Sequence, residues 1–283
     1  MWCFWSIFTL ILATLFVLFI LANLAIVILT YSTCWYEYAN ADPKLFDDRF
    51  RSRNIRMALS LIAQETCFNV FTLMITLFGM RKSRKLPKER GETPVLLLHG
   101  LFNNRASWFC LKAGLRQQGF KNIATINLSC WHNEEVLTEL VAKKIDELRH
   151  KLGVNKVHLV GHSMGGIIAR NYMQIRGGAS KVDRCVILGS PHHGSKLAPL
   201  SFTSLGKVLI PGSEFLRRLN SAPPPEGVRV TNIYTRKDNM VLPNANTRLD
   251  WCEQVELDNI GHTGLIYRKP ALEAVYAALK KQD

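Results

Sequence analysis

Residues 160–166 read VGHSMGG, so Gly161, Ser163 and Gly165 stand at Gly-x-Ser-x-Gly spacing. The apolar run Val157–Val160 precedes them and Ile-Ile-Ala-Arg follows. Glycines on either side of a serine let a strand turn sharply into a helix and present the hydroxyl at the turn. A serine hydroxyl is a weak nucleophile. It needs an imidazole to take its proton and an acid to fix the imidazole tautomer. Where each group follows a strand of a parallel sheet, the expected chain order is Ser, then Asp or Glu, then His. Of the eight histidines, only His192, His193 and His262 come after Ser163. His262 lies in DNIGHTGLIY, between the last strand pattern and the last helix pattern, and is the candidate base. Asp238 follows the run VRVTNIYT and is the candidate acid, with Asp258 second. Asp250 falls in a loop, and Asp258 is too close to His262 along the chain to come from a neighbouring strand.

An acyl-transfer site also needs donors for the developing oxyanion. Met164 follows the nucleophile at a helix start, where its backbone N–H is available. The loop after the first strand, HGLFNN (99–104), offers the N–H of Leu101 as the second donor. His162 is expected to pack beneath the turn. The pair His192-His193 has no carboxylate or cysteine at ligand spacing and is read as structural, so neither a metal nor another cofactor is expected. Arg170 is read as a surface or capping charge.

The elements that must position these groups begin near residue 93. PVLLLH (94–99) is a continuous apolar run of the kind that forms a buried parallel strand. Further strand patterns fall at 122–128, 156–160, 182–188, 228–234 and 254–257. Helical patterns fall at 107–118, 134–152, 164–174 and 265–279. Strands alternating with helices predict a mostly parallel sheet with helices on both faces, binding its ligand at the carboxyl ends of the strands. The long insertion 196–227 mixes apolar residues with Lys207, Arg217 and Arg218. It reads either as a lid beside the site or as a packed cover of the sheet.

The first 80 residues are of another kind. Phe4 to Leu29 is a 26-residue run interrupted only by Ser6, Thr9, Thr14 and Asn23, with no charge. A helix of that length spans a bilayer core of roughly 30 Å, and no basic leader or small-residue cleavage site marks it for removal. The second apolar segment, 57–80, carries Glu65, Asn69, Thr72 and Thr76 as one helical stripe. That stripe could pack against the first helix to complete a two-span hairpin, or turn to water in an interfacial helix. Residues 1–80 hold five Lys/Arg and five acids, so the formal net charge of +14 resides beyond them. Six of the ten residues in RKSRKLPKER (81–90) are basic. A block placed there keeps the following chain on the cytoplasmic side and is drawn to anionic headgroups, whereas nucleic-acid binding is not expected. The organisation read from this is membrane-anchoring helices at 1–80, a basic linker at 81–92 and a catalytic domain at 93–283. Seven scattered cysteines without a CxxC pair fit reduced thiols.

The motifs HGLFNN, VGHSMGG, LGSPHHGS, YTRKDNMV and GHTGLIY, in that order, resemble the α/β-hydrolase lipases, particularly the small bacterial triacylglycerol lipases. The resemblance covers about residues 93–279. It implies an α/β-hydrolase fold and carboxylic-ester hydrolysis of a lipid through an acyl-enzyme on Ser163. Asp238 and His262 would complete the triad, and Leu101 and Met164 would form the oxyanion hole. A phospholipase or acyltransferase using the same residues, or a scaffold that binds without catalysis, are the other functions compatible with the sequence.

Overall fold

The computed structural model describes residues 2–41, 50–80 and 89–281. Two long helices come first, α1 (Trp2–Ala41) and α2 (Ser52–Gly79). There follow β1 (Val95–Leu98), α3 (Phe109–Gln117), β2 (Ile123–Ile126), α4 (Glu134–Leu152), β3 (Val157–His162) and α5 (Met164–Arg170). Next are β4 (Val182–Leu188), α6 (Ser204–Val208), α7 (Glu214–Ser221), β5 (Arg229–Thr235), β6 (Glu253–Leu257) and α8 (Lys269–Lys280). All six strands pair in parallel, in the order β2-β1-β3-β4-β5-β6. The chain lays β2 on one side of β1 and β3 on the other. Such a reversal opens a crevice at the carboxyl ends of β1 and β3.

Local chemistry accounts for the element ends. The Asn133 side chain caps α4 by accepting from the Val136 N–H, Glu134 and Glu135 lie in its first turn, and Gly153 ends it at φ 67°. Between these signals, Leu137, Val141, Ile145 and Leu148 form the buried stripe that packs on one face of the sheet. The opposite face is covered by Trp108, Leu111 and Leu115 near α3 and by Ala271, Val275 and Leu279 of α8.

Several boundaries differ from expectation. The helix expected over 164–174 is α-helical only to Arg170 and continues as a π turn over Asn171–Ile175. The last helix starts at Lys269, because Thr263–Ile266 forms a separate 3-10 turn directly after His262. In the insertion 196–227, α6 and α7 bury Leu205, Phe215, Leu216 and Leu219 in the main core, while Leu200 and Phe202 project outward.

The helices α1 and α2 pack together through Val27, Tyr31 and Leu61. Both are long and apolar enough to cross a membrane by length and composition, with mean hydropathies of 2.9 and 1.5. Their relation to the rest of the molecule corrects the expectation for the polar stripe. Glu65, Asn69 and Thr72 bond to the α/β domain through their side chains, and Thr76 through its backbone carbonyl. Glu65 accepts from the Thr263 and Gly264 N–H groups, Asn69 Oδ1 accepts from Thr263 Oγ1, and the Thr72 and Tyr267 hydroxyls are bonded at 2.7 Å. The Thr76 carbonyl accepts from Asn104 and the Gly79 carbonyl from Asn127. The reason is electrostatic. A buried carboxylate needs donors, and the backbone N–H groups of the 263–266 turn supply them. Most of the expected basic linker, residues 81–88, lies outside the described residues.

Candidate active site

Ser163 stands between β3 and α5 with φ 54° and ψ −123°. Its backbone is far from the common basins, a strain of about 1–3 kcal/mol that surrounding contacts must hold. The Ser163 N–H donates to the Leu188 carbonyl at 2.8 Å, and its own carbonyl accepts from Ser190 Oγ at 2.6 Å. The end of β4 thus grips the turn from both sides.

The two motif glycines permit the close packing. A Cβ on Gly161 would lie 2.6 Å from the Gly166 nitrogen. A Cβ on Gly165 would strike the Leu98 carbonyl oxygen and come within 2.8 Å of that of His99. Because both obstacles are backbone, Gly165→Ala is expected to destabilise the fold by about 3 kcal/mol, at the upper end for overpacking. Urea denaturation would measure this, and an unchanged midpoint would contradict the tight turn.

His262 meets Asp238 directly, with Nδ1 2.7 Å from Oδ2. Asp238 is fully buried, and its Oδ1 accepts from the Met240 and Val241 N–H groups at 2.8 Å each. Asp250 and Asp258 are exposed. Burial disfavours charge on His262, but the adjoining Asp238 carboxylate outweighs it, and the imidazole pKa lies above the usual 6.5.

His162 lies beneath this pair. Its ring packs 4.7 Å from that of His262, and its Nε2 donates to the His262 carbonyl at 3.1 Å. Burial holds its pKa well below the usual value, so it stays neutral. A Cβ on Gly189 would sit 3.2 Å from Asp238 Oδ2 and 3.5 Å from His262 Nδ1, so the end of β4 touches the pair as well as the elbow.

The loop after β1 closes the crevice. A Cβ on Gly100 would lie 3.1 Å from that of Ser163, so this backbone runs beside the nucleophile. His99 sets its orientation. Its Nε2 accepts from the Leu128 N–H at 2.9 Å, which leaves the proton on Nδ1 to donate to the Gly100 carbonyl at 2.8 Å. Burial pushes the His99 pKa down to about 4, preserving that neutral tautomer near pH 7. With the Gly100 carbonyl held on one side, the trans peptide directs the Leu101 N–H to the other. Met164 occupies the first position of α5, where no intrahelical acceptor exists.

Arg170 is not a surface charge: it is fully buried, bonded to Gln174, His192, Asn220 and the Leu219 carbonyl. It ties the elbow helix to α7, and burial lowers its pKa to about 10. His192 is its partner and also meets Asn232 Oδ1, while no cluster of metal-ligating side chains occurs among the described residues.

The strained Ser163 thus stands at the end of β3, while the Asp238–His262 pair is built from the segments after β5 and β6. The family model that describes the alpha/beta hydrolase fold matches residues 93–207. The mature form of lipase BlEst2 from Bacillus licheniformis superposes with a TM-score of 0.58 at 19% identity, covering 70% of this chain and 96% of that one. The chain has the α/β-hydrolase fold.

Among sequence relatives, a triacylglycerol lipase of Pseudomonas fragi is 30% identical over 110 residues, which is 37% of this chain and 36% of that protein. A triacylglycerol lipase of Pseudarthrobacter phenanthrenivorans is 29% identical over 114 residues, again 37% of this chain and 35% of the relative. The matched stretch is therefore about a third of these relatives' length. In this chain α1 and α2 precede the family match, and sequence reasoning did not identify their contacts with the His262 segment. The helical spacing of Glu65 and Asn69 was the available signal, but nothing in it named the partner.

Proposed function

We propose that this α/β-hydrolase is a membrane-anchored serine hydrolase that cleaves carboxylic esters of lipids. The observation that carries the reading is the 2.7 Å contact between His262 Nδ1 and the buried Asp238 carboxylate, in the crevice that also holds the strained Ser163. Ser163 Oγ attacks the ester carbonyl carbon while His262 Nε2 takes its proton. The carbonyl oxygen becomes an oxyanion held by the Leu101 and Met164 N–H groups. Collapse breaks the C–O bond, and the leaving alcohol takes the proton from His262. Water then repeats the sequence on the acyl-serine and frees the acid.

The lipid preference rests on the surface. Phe102 follows the proposed oxyanion residue Leu101, Met240 lies two residues after Asp238, and both are exposed, as are Leu200 and Phe202 of the insertion. The first half of α1, residues 5–22, is exposed or half-exposed on all sides and apolar but for Ser6, Thr9 and Thr14. At about 1.5 Å per residue that half is long enough to cross a bilayer by itself. The polar stripe of α2 is occupied by the α/β domain, while Leu73, Met74, Leu77 and Phe78 face outward. One span through α1, with α2 lying between the membrane surface and the catalytic domain, accommodates both observations better than a two-span hairpin.

The test is hydrolysis of p-nitrophenyl esters of increasing chain length by protein in mixed micelles, together with fluorophosphonate labelling. Long acyl chains are expected to be preferred, with the label on Ser163. An inert wild type, neither turning over any ester nor taking the label, would sink the proposal.

A further inference from the structure

Glu65 is a buried carboxylate that the proposed chemistry does not use. It comes from α2, outside the stretch matched by the family model, yet it is only 1% exposed and stands against the segment that carries His262. Its Oε2 accepts from the Thr263 N–H at 2.8 Å and its Oε1 from the Gly264 N–H at 2.7 Å. These are successive donors at the start of the 3-10 turn for which His262 is the N-terminal flanking residue. Such first-turn N–H groups have no acceptor within their own turn, and an anionic acceptor satisfies them well. With both oxygens accepting, the hydrogen bonds match the ionised form.

The neighbouring contacts make the same clamp. Asn69 Oδ1, one turn along α2, accepts from Thr263 Oγ1 at 2.7 Å. On the other side of His262, a Cβ on Gly261 would strike the Tyr31 hydroxyl and lie 2.5 Å from Glu65 Cγ. The helical pair is therefore in close contact with residues 261–264. By comparison, the polar anchors of the His262 backbone itself are longer: its N–H reaches Asn239 Oδ1 at 3.4 Å, and its carbonyl meets His162 Nε2 at 3.1 Å and the Leu265 N–H at 3.4 Å. Asn239 is itself held from α1, its Nδ2 donating to Thr30 Oγ1 at 2.8 Å.

We infer that Glu65 is a positioning residue for the base: by holding the Thr263 and Gly264 N–H groups it fixes the backbone from which the His262 imidazole reaches Asp238. The catalytic part of this statement rests on the serine-hydrolase reading, while the structural part does not. Glu65 touches neither substrate nor reacting atoms. Its removal frees the 262–264 backbone, and the imidazole then samples orientations in which Nδ1 misses Asp238 and Nε2 misses Ser163.

The test compares Glu65→Gln and Glu65→Ala with Leu61→Ala, all in the full-length chain in detergent. Leu61 is buried one turn away in the contact between α1 and α2, so its truncation loosens the helical pair and leaves the carboxylate in place. Two readouts are taken: kcat and KM for ester hydrolysis, and the low-field Nδ1 proton of His262 in ¹⁵N-histidine-labelled protein, assigned by its loss in Asp238→Asn. Glu65→Ala is expected to lower kcat about 100-fold with KM within about twofold, and to broaden the Nδ1 resonance through exchange, as befits misplacement of a reacting group. Glu65→Gln, which keeps one acceptor oxygen, is expected to fall between Glu65→Ala and wild type. Leu61→Ala should keep both kcat and the resonance. A Glu65→Ala protein whose resonance is as sharp as that of Leu61→Ala would overturn the inference, whether or not any ester is hydrolysed. An inactive wild type that shows the expected broadening in Glu65→Ala would overturn the hydrolase reading alone.

Discussion

Ser163→Ala is expected to reduce kcat for ester hydrolysis by about 10⁶-fold, the scale on which removal of a serine nucleophile acts in a hydrolase triad. The residual rate would come from the oxyanion donors and substrate binding, which the substitution leaves in place. The fold should tolerate it. The N–H bond to Leu188 and the carbonyl bond from Ser190 Oγ both use the backbone of residue 163 and survive in alanine. Thermal unfolding should therefore match wild type while turnover and fluorophosphonate labelling vanish together. Retention of more than a few per cent of the wild-type rate, in protein freed of contaminating esterases, would assign the chemistry elsewhere.

Asp238→Asn is expected to cost about 10⁴-fold in kcat through the tautomer of His262. Two backbone N–H groups, of Met240 and Val241, point at Oδ1. An asparagine there must turn its carbonyl oxygen toward those donors, so its NH₂ faces His262 Nδ1. That nitrogen is then forced to accept, the proton moves to Nε2, and the imidazole can no longer take the proton from Ser163.

The pH profile gives an independent check. The proposed mechanism requires neutral His262, so kcat/KM should rise with pH through its pKa. In wild type, burial lowers that pKa and the Asp238 carboxylate raises it more, which puts the acid limb above 6.5. In Asp238→Asn the carboxylate is gone and burial remains, so the limb should move to lower pH while the plateau falls. A limb that stays in place would mean that His262 is not the group titrating.

The sheet was legible because its signals are local. The helix over 134–152 has an asparagine before it, a glycine after it and apolar residues at helical spacing between, and it forms over those residues. Chain order together with position after a strand preferred Asp238 over Asp250 and Asp258, and Asp238 is the aspartate that meets His262. What could not be read was decided by tertiary partners. Arg170 has the character of a surface charge until α7 brings Asn220 and the Leu219 carbonyl to its guanidinium. The stripe on α2 was visible as a stripe, but its acceptors and donors lie in another part of the chain. The π turn at 171–175 and the separate turn at 263–266 likewise follow from packing and not from hydrophobic period.

The link between Glu65 and Thr263 joins residues 198 apart in the chain. During synthesis α1 and α2 emerge before the α/β domain, and they wait for nearly the whole of it before their polar groups find partners. At roughly 5–20 residues per second that interval is of the order of ten seconds or more. Until then the Glu65 carboxylate has no backbone donors from the 263–266 turn, and neither Asp238 nor His262 has been made. A nascent chain that has made only α1 and α2 thus lacks the Asp238–His262 pair on which the proposed hydrolysis depends. On the proposed function, ester-cleaving capacity arises late, when the end of the domain folds back onto α1 and α2.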